Sequence, residues 1–228
     1  MTVLRLLVFG TLGYFLGFFL DWWIRYIVDQ WLPAQGLGRL EQGMVFRQLR
    51  ARYYDLVPWL NALLTAAMAG VWGLHAGLWG ALMLLWGLLV LLFVDLETLL
   101  LPDALTLPLL WLGLFFNSFG LYTSAPAALW GAMAGYGSLW SVYWLHRRLT
   151  GRIGLGQGDF KLLAALGAWL GVGVLPALLL LASLSGILVM GALMLQKRGA
   201  TAQTLFPFGP FLAFAGIGVM LWGKGGVL

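Results

Sequence analysis

The chain has no cysteine and only two histidines. That excludes disulfides, thiolate zinc sites and cysteine nucleophiles together. No zinc site is expected from what remains. Charge is nearly as scarce. Charged residues make up 9% of the chain, against about 25% in soluble domains, while 62% of residues are hydrophobic. A soluble globular domain of normal size is thereby excluded. The composition is that of an all-α polytopic membrane protein, with the lipid bilayer as its first partner. The net charge of +5 reflects where loops lie relative to the membrane, and no nucleic acid is implied.

The charge-free stretches set the number of helices. A spanning helix needs roughly 20 apolar residues. Leu6–Leu20 is one span, read as a retained helix because no small-residue cleavage site follows it. Arg5 is expected to snorkel outward from it. Leu56–Val94 carries no formal charge and holds two spans, with a break near Leu74-His75-Ala76-Gly77. Ala104–His146 holds two more, broken at Thr123-Ser124-Ala125-Pro126. Leu162–Gln196 turns at Gly171-Val172-Gly173, and Gly199–Gly223 is the last span. The expectation is about eight transmembrane helices. It divides the chain into a first helix at 1–20, a short cytoplasmic or interfacial segment at 21–55, and a seven-helix membrane domain at 56–228. Within the segment, Met44–Tyr54 reads as an amphipathic helix with Arg47, Arg50 and Arg52 toward headgroups. With the first helix entering from outside, all 13 basic residues except Arg5 and Lys224 fall on the inner side, as the positive-inside rule requires.

Against this background two carboxylates stand out. Asp95 follows the apolar run Leu88–Val94, and Asp159 follows Gly156-Gln157-Gly158. Both are expected at the cytoplasmic boundary, one ending the third helix and one beginning the sixth. An ionised carboxylate there is costly and marks function by default. Two that meet suggest acid/base chemistry, because neighbouring carboxyls share a proton. The bland reading is open beside this one: Asp95 keeps a helix end wet, as Glu97 and Asp103 do, and the two glycines only form a turn. Otherwise they let an extended backbone approach the carboxylate. Lys161 is either a partner for a nearby carboxylate or one more positive-inside residue. The glycine pairs Gly13/Gly17 and Gly131/Gly135 read as packing faces. No serine pairs with either histidine in the manner of a serine hydrolase.

Three motifs then carry a resemblance. They are Val94-Asp95-Leu96-Glu97-Thr98-Leu99-Leu100-Leu101-Pro102-Asp103-Ala104-Leu105-Thr106, Gly154-Leu155-Gly156-Gln157-Gly158-Asp159-Phe160-Lys161-Leu162-Leu163-Ala164-Ala165-Leu166-Gly167, and Pro207-Phe208-Gly209-Pro210-Phe211-Leu212-Ala213. In this order the chain resembles the type IV prepilin peptidases, the bacterial prepilin leader peptidase/N-methyltransferases. These are membrane aspartyl proteases of the Gly-x-Gly-Asp class. The resemblance runs from about Trp59 to the C-terminus. It implies Asp95 and Asp159 as the catalytic pair, with Gly156, Gly158, Lys161, Pro102, Asp103, Pro207, Gly209 and Pro210 in the substrate and active-site loops. It implies prepilins or type II secretion pseudopilins as substrates, each with a basic leader ahead of an apolar helix. Cleavage would fall at the cytoplasmic face of the bacterial inner membrane, with methylation of the new terminus from S-adenosylmethionine. Fuller members carry two Cys-x-x-Cys pairs after the first helix. Residues 21–55 have none, a departure that bears on methyl transfer and leaves the protease motifs untouched.

Two other readings use the same aspartates. One is an intramembrane protease of the presenilin or signal-peptide-peptidase kind, which carries a late Pro-Ala-Leu. Pro176-Ala177-Leu178 is present, but directly after the Gly-x-Gly-Asp helix. The other is a proton-coupled transporter, whose class often shows internal repeats. The two halves of this chain show none.

Overall fold

The structure, a computed structural model, describes residues 2–36, 55–151, 156–195 and 207–222. The described residues form helices joined by turns, without a strand. Their long helices are α1 (Thr2–Tyr26), α2 (Val57–Trp72), α3 (Ala76–Thr98), α4 (Asp103–Ser118), α5 (Ala125–Thr150), α6 (Gln157–Leu170), α7 (Leu175–Leu195) and α8 (Gly209–Trp222). Each overlaps one of the expected spans, and α1, α3, α4, α5 and α6 run past their bounds. Thr2–Ala34, Ala76–Thr98 and Val172–Leu193 are long and apolar enough to cross a membrane, and Val57–Trp72 and Gly209–Trp222 are shorter apolar helices. The protein is an all-α polytopic membrane protein. The expected amphipathic helix at Met44–Tyr54, the loops holding Arg39, Arg152, Lys197 and Arg198, and Lys224 lie outside the described residues.

The breaks have local causes. Gly73 ends α2 at φ +67° and Gly171 ends α6 at φ +85°, conformations that side chains with a Cβ rarely adopt. Ser124 caps α5, its Oγ accepting the Ala127 N–H at 3.3 Å, with Pro126 in the first turn. The end of α1 differs from expectation. The helix passes Leu20, runs to Tyr26, and continues through a π-turn (Ile27–Trp31) and a last short stretch (Leu32–Ala34). Asp21, just past the expected end, pairs with Arg25 one turn on at 3.0 Å, so a charge pair along one helix face lies where the boundary was expected. Arg5 donates from Nη2 to the Gly70 carbonyl at 3.3 Å and lies beside the turn at Gly73 and His75.

The chain forms two compact units, Met1–Leu99 with Ile187–Pro207, and Leu100–Gly186 with Phe208–Leu228. The first is built on the seam between α1 and α2. A Cβ on Gly13 would lie 2.8 Å from Thr65 Cβ, and one on Gly17 would collide with Pro58 Cα. The missing side chains let the two backbones approach. Fully buried Asn61 donates to the Gly13 carbonyl at 2.7 Å, and Thr65 donates to Asn61 Oδ1 at 3.4 Å. In an apolar medium such groups must be satisfied within the protein.

The second unit is built around α6, which packs on α4, α5 and α8. Every residue from Leu162 to Leu170 is buried. Against α5, the Gly131 and Gly167 backbones touch so closely that a Cβ on either would strike the other's carbonyl. Against α4, Trp169 lies over Gly113 and donates to the Leu109 carbonyl at 2.8 Å. The C-terminus of α6 is closed by Asn117. Its amide donates to the carbonyls of Ala168 and Trp169 at 2.8 and 2.9 Å, and its oxygen accepts from the N–H groups of Tyr122 and Thr123. One fully buried amide thus satisfies helix-end carbonyls that have no partner within α6.

Candidate active site

Asp159 is held by the start of α6. Gly156 is the N-cap, with extended dihedrals of −73° and 138°, which places Asp159 three residues into the helix. An acidic side chain there reaches back to the cap's backbone N–H. The Asp159 carboxyl takes a hydrogen bond from the Gly156 backbone in this way. The Asp159 N–H also donates to the Gly156 carbonyl at 3.3 Å. The side chain is buried, with 6% of the residue exposed. The next residue, Phe160, is fully packed and wedges its ring against Tyr136 and Tyr143 of α5, at centroid distances of 5.9 and 5.6 Å. That contact fixes the rotation of α6 about its axis.

The two glycines before Asp159 have different surroundings. A Cβ on Gly158 would lie 2.6 Å from Leu101 Cβ and 3.3 Å from its carbonyl oxygen. The chain's own Leu101-Pro102 segment occupies that space, so the expectation that this glycine leaves room for a substrate is corrected at Gly158. Gly156 is exposed, and a Cβ there would meet only the Asp159 carboxyl, at 3.2 Å from Oδ2. Glycine at 156 keeps the rim of the carboxyl uncovered.

The tail of the first motif joins the same cluster. Leu101 and Pro102 are buried, and Pro102 caps α4 with extended dihedrals. Asp103 opens α4 and forms an ion pair with Lys161, one turn into α6. Lys161 therefore has a carboxylate partner, and Asp103 is paired as well as exposed. Gly209 and Pro210 start α8, both buried, with the Phe208 carbonyl accepting from Phe211 and Leu212. Pro207, just before them, is also buried. Gly154 and Leu155 lie outside the described residues.

Asp95 belongs to the other unit. It sits in the last turn of α3, with 4% of the residue exposed. The turn closes in an unusual way. Leu99 adopts φ 56° and ψ 27°, and its N–H donates to the Asp95 carbonyl at 2.9 Å. It is the only left-handed residue other than glycine among the described residues, a conformation that costs about 1–2 kcal/mol for a residue with a Cβ. Buried Thr98 turns its hydroxyl back onto the Val94 carbonyl at 2.7 Å. The sequence gives no warning of Leu99, because glycine or asparagine would be the usual signal at such a position. The same is true of Asn117, whose role becomes visible only through its partners.

The cluster can do two things chemically. It presents a buried carboxyl at a rigid helix start, and it ties the segment 101–103 to that start by packing and by an ion pair. Among the described residues no three His, Asp or Glu side chains gather as a metal site. The first unit has a cavity of about 520 Å³ beside Arg5 and His75. Its lining also includes Thr2, Leu4, Val8, Phe9, Gly73 and Leu74.

Comparison with known proteins gives one consistent answer. Residues 82–191 match the type IV leader peptidase family, a stretch that includes both Asp95 and Asp159. A prepilin leader peptidase/N-methyltransferase of Stutzerimonas stutzeri is 50% identical over 201 residues, covering 88% of this chain and 68% of that protein. One from Pseudomonas aeruginosa is 51% identical over 170 residues, covering 75% and 58%. One from Xanthomonas campestris is 44% identical over 206 residues, covering 90% and 69%. The chain thus spans between 58% and 69% of the length of these relatives. No solved structure matches it. On the extent and identity of these matches, the chain belongs to the type IV leader peptidase family, that of the prepilin leader peptidase/N-methyltransferases.

Proposed function

We propose that the protein is an aspartyl endopeptidase that removes the basic leader from type IV prepilins or type II secretion pseudopilins. Asp95 and Asp159 act as its catalytic pair. The observation that carries this reading is Asp159, a carboxyl buried at a glycine-flanked helix start within the stretch matched to the family. A buried ionisable group is costly unless it is paired or has a task. Asp95, the other buried acid among the described residues, supports the second half of the pair.

In the proposed reaction one carboxylate takes a proton from water as its oxygen attacks the scissile carbonyl carbon. The protonated carboxyl donates a hydrogen bond to the carbonyl oxygen. Collapse of the tetrahedral intermediate breaks the C–N bond, and the proton taken from water passes to the leaving amine. Exposed Gly156 gives the substrate backbone room beside Asp159. Pro102 and Asp103, held by Gly158 and Lys161, shape the near wall. Pro207, Gly209 and Pro210 shape the start of α8.

Cleavage is placed at the cytoplasmic face of the inner membrane. The support is the charge pattern, which puts Arg147, Arg148 and Lys161 on one side with the other inner basic residues. Reporter fusions near Arg152 are expected to read cytoplasm, and fusions near His75 and Ser124 the outer side. Methylation of the new terminus from S-adenosylmethionine is proposed from the names of the relatives. The direct test incubates the purified protein with a prepilin-like peptide and follows it by mass. A leader fragment is expected without S-adenosylmethionine, and a gain of one methylene on the mature fragment with it. An intact peptide in both arms would sink the reading.

A further inference from the structure

We infer that the first unit holds the phosphate of an anionic phospholipid in the cavity between the start of α1 and the turn from α2 to α3. This site lies apart from the proposed peptidase chemistry and does not depend on it.

Three observations meet there. The first is an under-used cation. Arg5 lines the cavity, and its Nε is buried without a hydrogen-bond partner. Its guanidinium makes a long bond from Nη2 to the Gly70 carbonyl. A guanidinium carries five donors in a fixed fork that matches a phosphate. An orphaned buried donor costs on the order of a lost hydrogen bond, and a small turn of the guanidinium toward an anion in the cavity removes that cost.

The second is the arrangement of helix ends. Both α1, from Thr2, and α3, from Ala76, begin at this place, and the His75 side chain makes no capping hydrogen bond to α3. Two long helices therefore present their positive ends toward one cavity. Among the described residues no carboxylate lines it, and His75 adds a further donor.

The third settles what kind of anion fits. The cavity, about 520 Å³, is walled by Leu4, Val8, Phe9 and Leu74. Leu4, Val8 and Leu74 are also 67%, 52% and 71% exposed, and Phe9 contacts the exposed ring of Trp79 at 6.3 Å. In a membrane protein these surfaces face acyl chains, and an aromatic beside a helix end marks headgroup depth. A free phosphate would find the cation but leave the apolar walls wet. A phospholipid satisfies both, with its phosphate on Arg5 and an acyl chain along Val8 and Phe9. Basic pockets between transmembrane helices on the cytoplasmic side of other membrane proteins bind lipid headgroups by the same chemistry.

The test uses the purified full chain in neutral detergent. Native mass spectrometry counts retained lipid, and a thermal melt reads stability. Phosphatidylglycerol is expected to stay bound and to raise the melting temperature. Diacylglycerol with the same acyl chains, and inorganic phosphate alone, are expected to do neither. Arg5→Gln is expected to weaken retention about tenfold, the loss of one charge-assisted contact. Because Arg5→Gln also loses the bond to Gly70, Leu4→Trp serves as a second variant. It fills the cavity with Arg5 in place and is expected to abolish retention. Equal retention of phosphatidylglycerol by both variants overturns the inference. So does a full response to diacylglycerol, and so does a response to inorganic phosphate that matches the lipid, which would make this a free-anion site. Peptide cleavage is not the readout, so failure here leaves the peptidase reading standing.

Discussion

Asp95 lies in the last turn of α3 and Asp159 in the first turn of α6, and the two helix ends are built by opposite means. The start of α6 is relaxed and over-determined. A glycine N-cap, a reach-back hydrogen bond to the carboxyl, a second glycine against Leu101, and the Phe160 wedge all fix one position. The end of α3 is strained, with its last hydrogen bond closed by a left-handed leucine and its threonine turned back onto the helix. Strain of this kind persists only where surrounding structure enforces it, and it gathers at functional sites. A buried acid can thus be positioned either by capping chemistry or by enforced backbone geometry. Only the first leaves a mark in the sequence.

The sharpest way to break the comparison is at Gly158. Gly158→Val forces the new side chain into Leu101 and is expected to destabilise the second unit by about 3 kcal/mol, the upper range for overpacking. Thermal unfolding in detergent would read this, and cleavage should fall with it. Gly156→Ala should leave unfolding nearly unchanged and still slow cleavage, because its Cβ meets only the Asp159 carboxyl. If the two glycines behaved alike, the distinction between a packing glycine and a rim glycine would be lost. Removing the clamp at the far end of the same helix ranks next. Asn117→Ala leaves buried carbonyls and N–H groups without partners, at about 2–3 kcal/mol. A loss under 0.5 kcal/mol, about half of one ordinary hydrogen bond, would show that Asn117 does not close α6.

The strained end gives a smaller effect of opposite sign. Leu99→Gly is expected to stabilise the chain by about 1 kcal/mol by relieving the left-handed leucine, with cleavage unchanged or reduced. A clear destabilisation would mean that the leucine side chain matters more than its backbone. The smallest effect falls on the ion pair. Asp103→Asn should cost under about 1 kcal/mol, since exposed pairs contribute little. Asp103→Asn combined with Lys161→Gln should be no worse than either alone.

Much of this was legible in the residues. The three turn sites lay where glycine, serine and proline interrupt apolar runs, and helices separate there. The packing seams were readable because glycines four apart have few other uses in apolar helices. The end of α1 was not readable, since Asp21 looks the same whether it stops a helix or pairs with Arg25 inside one. Asn61 and Asn117 were missed for a related reason. A lone asparagine in an apolar stretch carries no sign of which distant carbonyl it will meet. At the site, the depth of Asp95 followed from the run Leu88–Val94. The occupancy of the space beside Gly158 did not, because sequence cannot tell a neighbour in the chain from a substrate.

Cleavage by the proposed pair requires the two carboxyls to work as one unit, and single and double substitution tests that directly. Asp95→Asn and Asp159→Asn are each expected to cut cleavage of a prepilin-like peptide by about a thousandfold or more, within the range for loss of a general acid or base. Both variants should remain inserted and folded, as judged by their thermal melts. The double variant should be no slower than the worse single one, since residues of one catalytic unit are not additive. Near wild-type cleavage by either single variant, or losses that multiply in the double, would contradict the pair.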